Sequence, residues 1–303
     1  MKTRRAWIVA VSLVLAERSA AASAAAQRTF ATPQEAAQAL VAAASEDDVP
    51  ALLAIFGPDG ARLVASGDEV QDRNDRAEFV ELAGEKLDIV ADPNVAHQMR
   101  LLVGNDAWPL PVPLVQQHGK WAFASKQGVH EVLARRIGAN ELDAIEICRG
   151  YVEAQKEYAV EDRDGSGVQQ YAQKVISSEG QRDGLVWRNP DGSLGGPIAE
   201  QIASAIAEGY KDKRRPYHGY HFRILKRQGR CAPLGAMDYV INEKMIGGFA
   251  LIAWPAEYGV SGVKTFIVSH DGVVHEKDLG RQTSEKVSRI DKFDPDETWH
   301  VVP

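Results

Sequence analysis

The sequence predicts an α+β protein of two domains, each with helices packed on an antiparallel sheet, joined by a long spine helix. In each half, apolar residues recur first at helical spacing and then in alternating β-branched and aromatic runs, which favours helices before strands. His270-Asp271-Gly272 separates two such runs, and Asp-Gly accepts the positive φ that hairpin turns require. A chain of 303 residues exceeds the usual size of a single core, which favours two domains.

The first domain is predicted to begin with three helices. Thr32 is the expected cap of the first, because Pro33 follows at the first helical position. Asp48, two residues before a proline, predicts the start of a second short helix, and residues 75–90 suggest a third. Strands are predicted after these helices, at residues 97–103, 108–115 and 120–124.

The second domain is predicted to open with the spine helix, because residues 128–160 carry apolar side chains at three- and four-residue steps. Two shorter helices are predicted at residues 168–176 and 197–208. Strands follow at residues 220–226, 237–241, 249–254, 263–269 and 273–276. The predicted domains are therefore residues 27–127 and 128–303.

The N-terminus has the order of a secretory signal peptide. A basic start precedes an apolar run over residues 6–16 and small residues over 19–26. The run is about half of the ~20 residues that cross a bilayer as a helix, so an anchor is the weaker interpretation. Cleavage between Ala26 and Gln27 would remove residues 1–26 and leave a periplasmic or secreted protein. The alternative is a buried N-terminal helix of a cytosolic protein.

The charge of the predicted mature chain argues against nucleic acid as a partner. The net charge is −7, and loss of the four basic residues and one acidic residue in the first 26 positions lowers it to −10. Phosphate binding relies on clustered Lys and Arg. The densest basic run, residues 211–215, precedes Pro216 and is interpreted as a solvated linker. No membrane span is expected after processing.

The chain has two cysteines, Cys148 and Cys231. An even number in an oxidising compartment permits a disulfide bridge. Such a bridge would close a loop of about 83 residues and stabilise the fold by about 4 kcal/mol in the chain-entropy model. The alternative is that both are small buried apolar residues.

The segment DRDGSG is similar to the start of a calcium loop. Asp162, Asp164 and Ser166 place oxygens at the first, third and fifth positions, and Gly167 takes the sixth. The twelfth position is Gln173 instead of a bidentate Glu. The alternative is a hydrophilic turn that ends the spine helix.

Aromatic residues suggest a groove for sugars or peptides, because flat rings give large contact area at low entropic cost; the candidates are Trp108, Trp187, Trp254, Tyr258 and Trp299. Of these, Trp187, Trp254 and Tyr258 are the residues predicted to form the groove. Turn signals on both sides of Trp187 predict an exposed double turn over residues 183–192. For Trp254, which precedes a proline at a strand end, the alternative is a core position.

Four histidines are candidate zinc ligands, namely His218, His221, His270 and His275. Because His218 and His221 would face opposite sides of a strand, surface or strand-end histidines are the favoured interpretation.

Several long segments carry a resemblance to a known family: WPLPVPLV, RRIGANELDAI, YVEAQKEYA, HGYHFRIL, GGFALIAWPAEYG and GVKTFIVSHDGVVHEKDLG. They resemble the bacterial exported family catalogued as domain of unknown function twenty-nine fifty, over residues 32–299. The resemblance implies export and a shared fold, and it brings no catalytic residues.

A second resemblance concerns the C-terminal half. The segments ANELDAIEICRGYVEAQKEYA, GYHFRI and GVKTFIVSHDGVV resemble the soluble part of type IV pilin-like proteins, where a helix lies against an antiparallel sheet. Pilins carry a membrane-inserted half-helix immediately before this segment. Here residues 30–127 are predicted to form a separate domain, which argues against polymerisation into a pilus.

Together these patterns favour a non-enzymatic, envelope-associated binding or interaction module with a cell-envelope protein or polymer as its partner. The chain contains no G-x-S-x-G and no H-E-x-x-H motif. Two alternatives are an extracytoplasmic hydrolase acting on an envelope polymer and a small-ligand or calcium-binding protein.

Overall fold

A computed structural model describes residues 27–163, 165–208 and 215–303, and it has the predicted α+β architecture. The predicted signal peptide therefore lies outside the described residues. The helices in the described ranges are α1 (Pro33–Ser45), α2 (Val49–Phe56), α3 (Ala61–Val64), α4 (Glu69–Glu85), α5 (Ser125–Tyr158), α6 (Ala199–Glu208) and α7 (Thr283–Ser288).

The N-terminal unit, residues 27–124, packs helices on one antiparallel sheet. Its strands are β1 (Leu87–Ala91), β2 (Gln98–Val103), β3 (Trp108–Pro109), β4 (Leu114–Gln117) and β5 (Lys120–Phe123). They lie in the order β1-β2-β4-β5, with β3 also paired to β2. A hydrophobic cluster that includes Leu40, Ile55 and Phe123 fills the space between helices and sheet.

Two predicted helix starts are confirmed by their caps. Thr32 Oγ1 accepts the Glu35 N–H at 3.1 Å, and Asp48 Oδ1 accepts the Ala51 N–H at 3.0 Å. Each side chain satisfies a donor that has no partner inside its own helix.

The third predicted helix is wrong at both ends. Helix α4 begins at Glu69, six residues before the predicted start, and Asp68 caps it by accepting the N–H groups of Val70 and Gln71. The helix ends at Glu85, and residues 87–91 form β1 because their apolar side chains pair with β2. A short segment with four apolar residues out of five fits either type of element, and the pairing with β2 decides between them.

The spine helix α5 has 34 residues, which corresponds to a length of about 51 Å. Its first turns contact α3 of the N-terminal unit, and its second half contacts β15 (Lys264–Ser269) of the C-terminal sheet. Residues from Ala144 to Tyr158 contribute to a second hydrophobic cluster. The predicted boundary between residues 127 and 128 falls in the first turn of this helix.

The C-terminal unit, residues 159–303, contains the remaining strands: β6 (Lys174–Ile176), β7 (Gly184–Arg188), β8 (Leu194–Gly195), β9 (Tyr220–Leu225), β10 (Arg227–Gln228), β11 (Met237–Asp238), β12 (Val240–Ile241), β13 (Lys244–Met245), β14 (Ala250–Pro255), β15, β16 (Val274–Asp278) and β17 (His300–Val301). The main sheet has the order β17-β16-β15-β14-β9 and is antiparallel. Gly272, with φ of +79°, forms the predicted hairpin turn between β15 and β16.

The main C-terminal sheet is covered on both faces. Helix α5 packs on one face, where Phe266 and Val268 are fully buried. The chain from residue 279 to 299 crosses the other face, and there Arg223 Nη2 donates to Val287 O at 2.7 Å. This outer segment places charged and aromatic side chains beside the sheet.

Two further sequence predictions in this unit are wrong. Residues 168–176 do not form a helix, since their last three residues form β6, which pairs in parallel with β7. Residues 183–192 are not an exposed double turn around Trp187, because Leu185, Val186 and Trp187 are buried in β7. Burial of this apolar triplet outweighs the local preference for turns.

Candidate interaction surface

In the part of the chain that the structure describes, the sheet of the N-terminal unit has helices on one face and no helix or strand packed on the other. Leu101, Leu114 and Phe123 are at most 1% exposed and belong to the cluster beneath the helices. Side chains alternate along a strand, so Arg100 and Lys120 point to the other side, and both are exposed. We call this side the open face, and its side chains are Asp88, Val90, Gln98, Arg100, Leu102, Val115, Gln117, Lys120 and Ala122.

The outer edge of β1 borders the open face, and among the described residues β1 pairs with β2 alone. Backbone hydrogen bonds join the two ends of β1 to the β2 side. Lys86 O accepts the Gly104 N–H at 3.0 Å, and the Asp92 N–H donates to Gln98 O at 2.9 Å. Alternate residues of an antiparallel pair bond across in this way, so residues 88 and 90 do the same. The backbone N–H and C=O groups of Leu87, Ile89 and Ala91 therefore point away from the sheet.

The opposite edge of the same sheet is closed. Phe30 and Trp121 exchange both backbone hydrogen bonds at 2.8 Å, so the chain before α1 covers β5. The Gln27 side chain adds a bond to Phe123 O at 2.7 Å. The contrast between the two edges makes β1 the accessible one.

The hairpin that carries β1 is held in place by Asp92. Its carboxylate accepts the Asn94 N–H at 2.9 Å and lies 2.6 Å from the Arg100 guanidinium. These donors hold the pKa of Asp92 below its usual value. Because the turn is fixed by these bonds, the edge of β1 is ordered before any partner binds.

A buried polar cluster joins the two units. Asp68 is 1% exposed and accepts the Gly219 N–H at 3.0 Å, in addition to capping α4. Asn140 of α5 donates to Ser261 O at 2.9 Å and accepts from Gln71 at 2.9 Å. The cluster fixes the C-terminal unit against the start of α4.

The predicted disulfide bridge is not formed, because the structure contains Cys148 and Cys231 as free thiols. Cys148 is fully buried on α5, whereas Cys231 is exposed in a loop after β10. Burial raises the pKa of the Cys148 thiol to about 12, which disfavours the reactive thiolate. Cys148 therefore matches the alternative of a small apolar core residue.

The predicted calcium loop is closed by its own hydrogen bonds in the described residues. The Asp162 carboxylate accepts the N–H groups of Ser166 and Gly167 at 3.0 and 2.8 Å. The Lys244 ammonium donates to Ser166 O at 2.8 Å. Asp164 lies outside the described residues, and no group of three His, Cys, Asp or Glu side chains suited to a metal occurs within them.

The three predicted groove aromatics have separate surroundings. Trp187 is 8% exposed and lies under the guanidinium of Arg182, whose carbon is 5.2 Å from the ring centre. Trp254 packs on His221, with ring centres 5.5 Å apart. The Tyr258 hydroxyl donates to Asp278 at 3.2 Å. No shared contact joins these rings in the part of the chain that is described.

The four histidines that are candidate zinc ligands also have separate partners. His218 Nδ1 lies 2.7 Å from the Asp143 carboxylate, and His221 packs on Trp254. The His270 and Tyr239 rings form a T-shaped contact, with ring centres 5.9 Å apart. The His275 and Phe293 rings form another, with ring centres 5.8 Å apart. These contacts support the interpretation of strand-end histidines.

The sequence also contains the catalytic spacing S-x-x-K, at Ser261 and Lys264. Ser261 is fully buried, and its hydroxyl accepts the Glu257 N–H at 3.0 Å. Lys264 Nζ donates to Glu276 at 2.9 Å. The serine and lysine side chains thus bond to other groups, and the buried hydroxyl is closed to a substrate.

The fold and its surface define an α+β protein with two hydrophobic clusters and an uncovered sheet edge. The chain belongs to the family described as protein of unknown function (DUF2950), whose model matches residues 27–302. The family resemblance carried by the long segments is thereby confirmed. Searches of curated proteins and of solved structures gave no match, so the pilin-like resemblance stays a prediction. None of the helices in the described ranges has the length and apolar character needed to cross a bilayer.

Proposed function

We propose that this protein is an exported, non-enzymatic interaction module that binds an extended segment of a cell-envelope protein along β1. The observation that carries the proposal is the open edge of β1 beside the open face. An added strand would bond to the backbone groups of Leu87, Ile89 and Ala91, as in other cases of strand addition. The side chains of such a segment would point alternately to the open face and to the opposite face, on which α4 packs.

The edge of β1 lacks the usual protection of exposed edges. Natural sheets block free edges with proline, bulges, inward-pointing charges or a covering element. The strand LDIVA has one charged residue, Asp88, which pairs with Lys86 at 3.0 Å. Val90 is 38% exposed on the open face and offers an aliphatic contact to an alternate side chain of the partner.

The export part of the proposal has its own support. The family match begins at Gln27, the first residue after the proposed cleavage site. N-terminal sequencing of protein recovered from cell fractions tests it, and Gln27 is the expected first residue in the periplasmic or secreted fraction. A cytosolic protein that still starts at Met1 would contradict export.

Strand addition is tested by a proline at Ala91. The Ala91 N–H points away from β2, so Ala91→Pro removes an edge donor and leaves the β1–β2 ladder intact. Ala91→Ser keeps the N–H and is the matched control. A photo-crosslinker at position 90 is expected to capture an envelope protein in both the unmodified and the Ala91→Ser backgrounds, and to lose it in Ala91→Pro. Equal capture in Ala91→Pro would overturn the proposal.

A further inference from the structure

A cleft of about 230 Å³ lies between the outer face of the C-terminal sheet and the segment that follows α7. Its apolar lining comes from the sheet and from the covering chain. Ile267, on β15, and Leu279 are 1% and 7% exposed, while Ile290 and Trp299 are partly buried. Ile290 and Trp299 offer the accessible apolar surface for a flat hydrocarbon body, and Ile267 and Leu279 form the buried floor beneath it.

The same cleft is lined by three cations, Lys277, Arg289 and Lys292. Arg289 pairs with Glu285 at 2.6 Å, but both side chains are more than half exposed, and exposed pairs of this kind contribute little. Lys277 Nζ is 3.9 Å from the nearest Asp296 carboxylate oxygen and also donates to Thr298. These cations can therefore exchange their present contacts for an anionic ligand at modest cost.

The two carboxylates that line the cleft are already engaged. Asp291 pairs with Arg227, which is outside the lining. Asp294 accepts the Cys231 N–H at 2.8 Å and lies 3.2 Å from Lys292. The lining therefore has three cations and two carboxylates, and the charged partners Arg227, Glu285 and Asp296 lie just outside it.

Lys277 and Trp299 connect the charged and apolar parts of the lining. The Lys277 ammonium lies 5.6 Å from the centre of the Trp299 ring, within the range of a cation–π contact. This contact places a positive charge and a flat ring at the same position of the cleft. A bound molecule could touch the ring with its body and the ammonium with its anionic group.

We propose that this cleft binds a small amphipathic anion, meaning an organic acid with a flat apolar body and one carboxylate. Its volume is below the roughly 300–1,000 Å³ of sites for drug-sized ligands, which favours a small molecule. The body packs on Trp299, Leu279 and Ile290, and the carboxylate meets Lys277. The cleft is separate from the open face and does not depend on strand addition at β1.

Calorimetric titration of the full chain with 2-naphthoate and with the uncharged 2-naphthalenemethanol tests the proposal. One site for 2-naphthoate is expected, with the neutral alcohol bound at least about fivefold more weakly. Lys277→Met is expected to weaken 2-naphthoate binding about tenfold and to leave binding of the alcohol within about twofold. Trp299→Leu is expected to weaken both ligands.

The matched controls are Lys120→Met and Trp108→Leu, because both residues are exposed in the N-terminal unit. Neither change should alter the affinity for 2-naphthoate. Unchanged melting curves show that the variants are folded, and Lys277→Met, whose side chain is 28% exposed, is the better tolerated change. No saturable binding of 2-naphthoate to the unmodified chain, or equal affinity in folded Lys277→Met, would overturn the proposal.

Discussion

Replacement of Asp68 by alanine is expected to destabilise the protein more than the loss of a helix cap alone. The Asp68 carboxylate caps α4 through Val70 and Gln71, and it also accepts the buried Gly219 N–H at 3.0 Å. Loss of a cap costs about 1 kcal/mol. An orphaned buried donor costs about 1–3 kcal/mol more. The expected loss in the free energy of unfolding is therefore about 3 kcal/mol.

Asp48→Ala is the matched control, because Asp48 caps α2 through the Ala51 N–H at 3.0 Å and lies within the N-terminal unit. Its expected cost is about 1 kcal/mol. Urea unfolding followed by circular dichroism measures both free energies, provided that the dependence on urea stays equal between variants. If Asp68→Ala lost no more stability than Asp48→Ala, the bond to Gly219 would not contribute to joining the two units.

Three further outcomes are expected. Iodoacetamide should add one label to the folded protein, at exposed Cys231, and two labels in denaturant, as read by mass spectrometry; two labels under native conditions would contradict the burial of Cys148. Burial lowers the pKa of His221 below its usual value, so its contribution to stability is present above about pH 6.5 and is lost as the pH falls through the lowered pKa. His221→Phe should therefore flatten the fall in the unfolding free energy between about pH 7 and 5, whereas His300→Phe, at an exposed position, should not. Millimolar calcium should leave the melting temperature unchanged, because Asp162 and Ser166 already accept hydrogen bonds from protein donors. A rise in the melting temperature would support the predicted calcium loop.

Local signals in the sequence predicted those elements whose ends are fixed by nearby residues. The Thr32 and Asp48 side chains cap their helices by accepting backbone N–H groups three residues later, and Gly272 supplies the positive φ of its hairpin. The long apolar repeat of α5 is also a property of the segment itself. These features need no information about the rest of the chain.

Elements that depend on distant partners were missed or misassigned. Residues 87–91 form a strand because β2 lies beside them, and Trp187 is buried because β7 pairs with β6 and β8. The open edge of β1 also depends on the rest of the chain, because the strand order decides which strand has a neighbour on only one side. The cleft near Trp299 combines strand residues with a segment that follows α7, and periodicity cannot indicate such a combination.

Amide hydrogen exchange along β1, measured residue by residue with and without the crosslinked partner segment, tests the central claim most directly. In the free protein, the amides of Asp88 and Val90 should exchange slowly and those of Leu87, Ile89 and Ala91 quickly, because only the first two bond to β2. Binding should slow the second group and leave the first unchanged. Fast exchange of Leu87, Ile89 and Ala91 in the complex would show that the partner binds elsewhere.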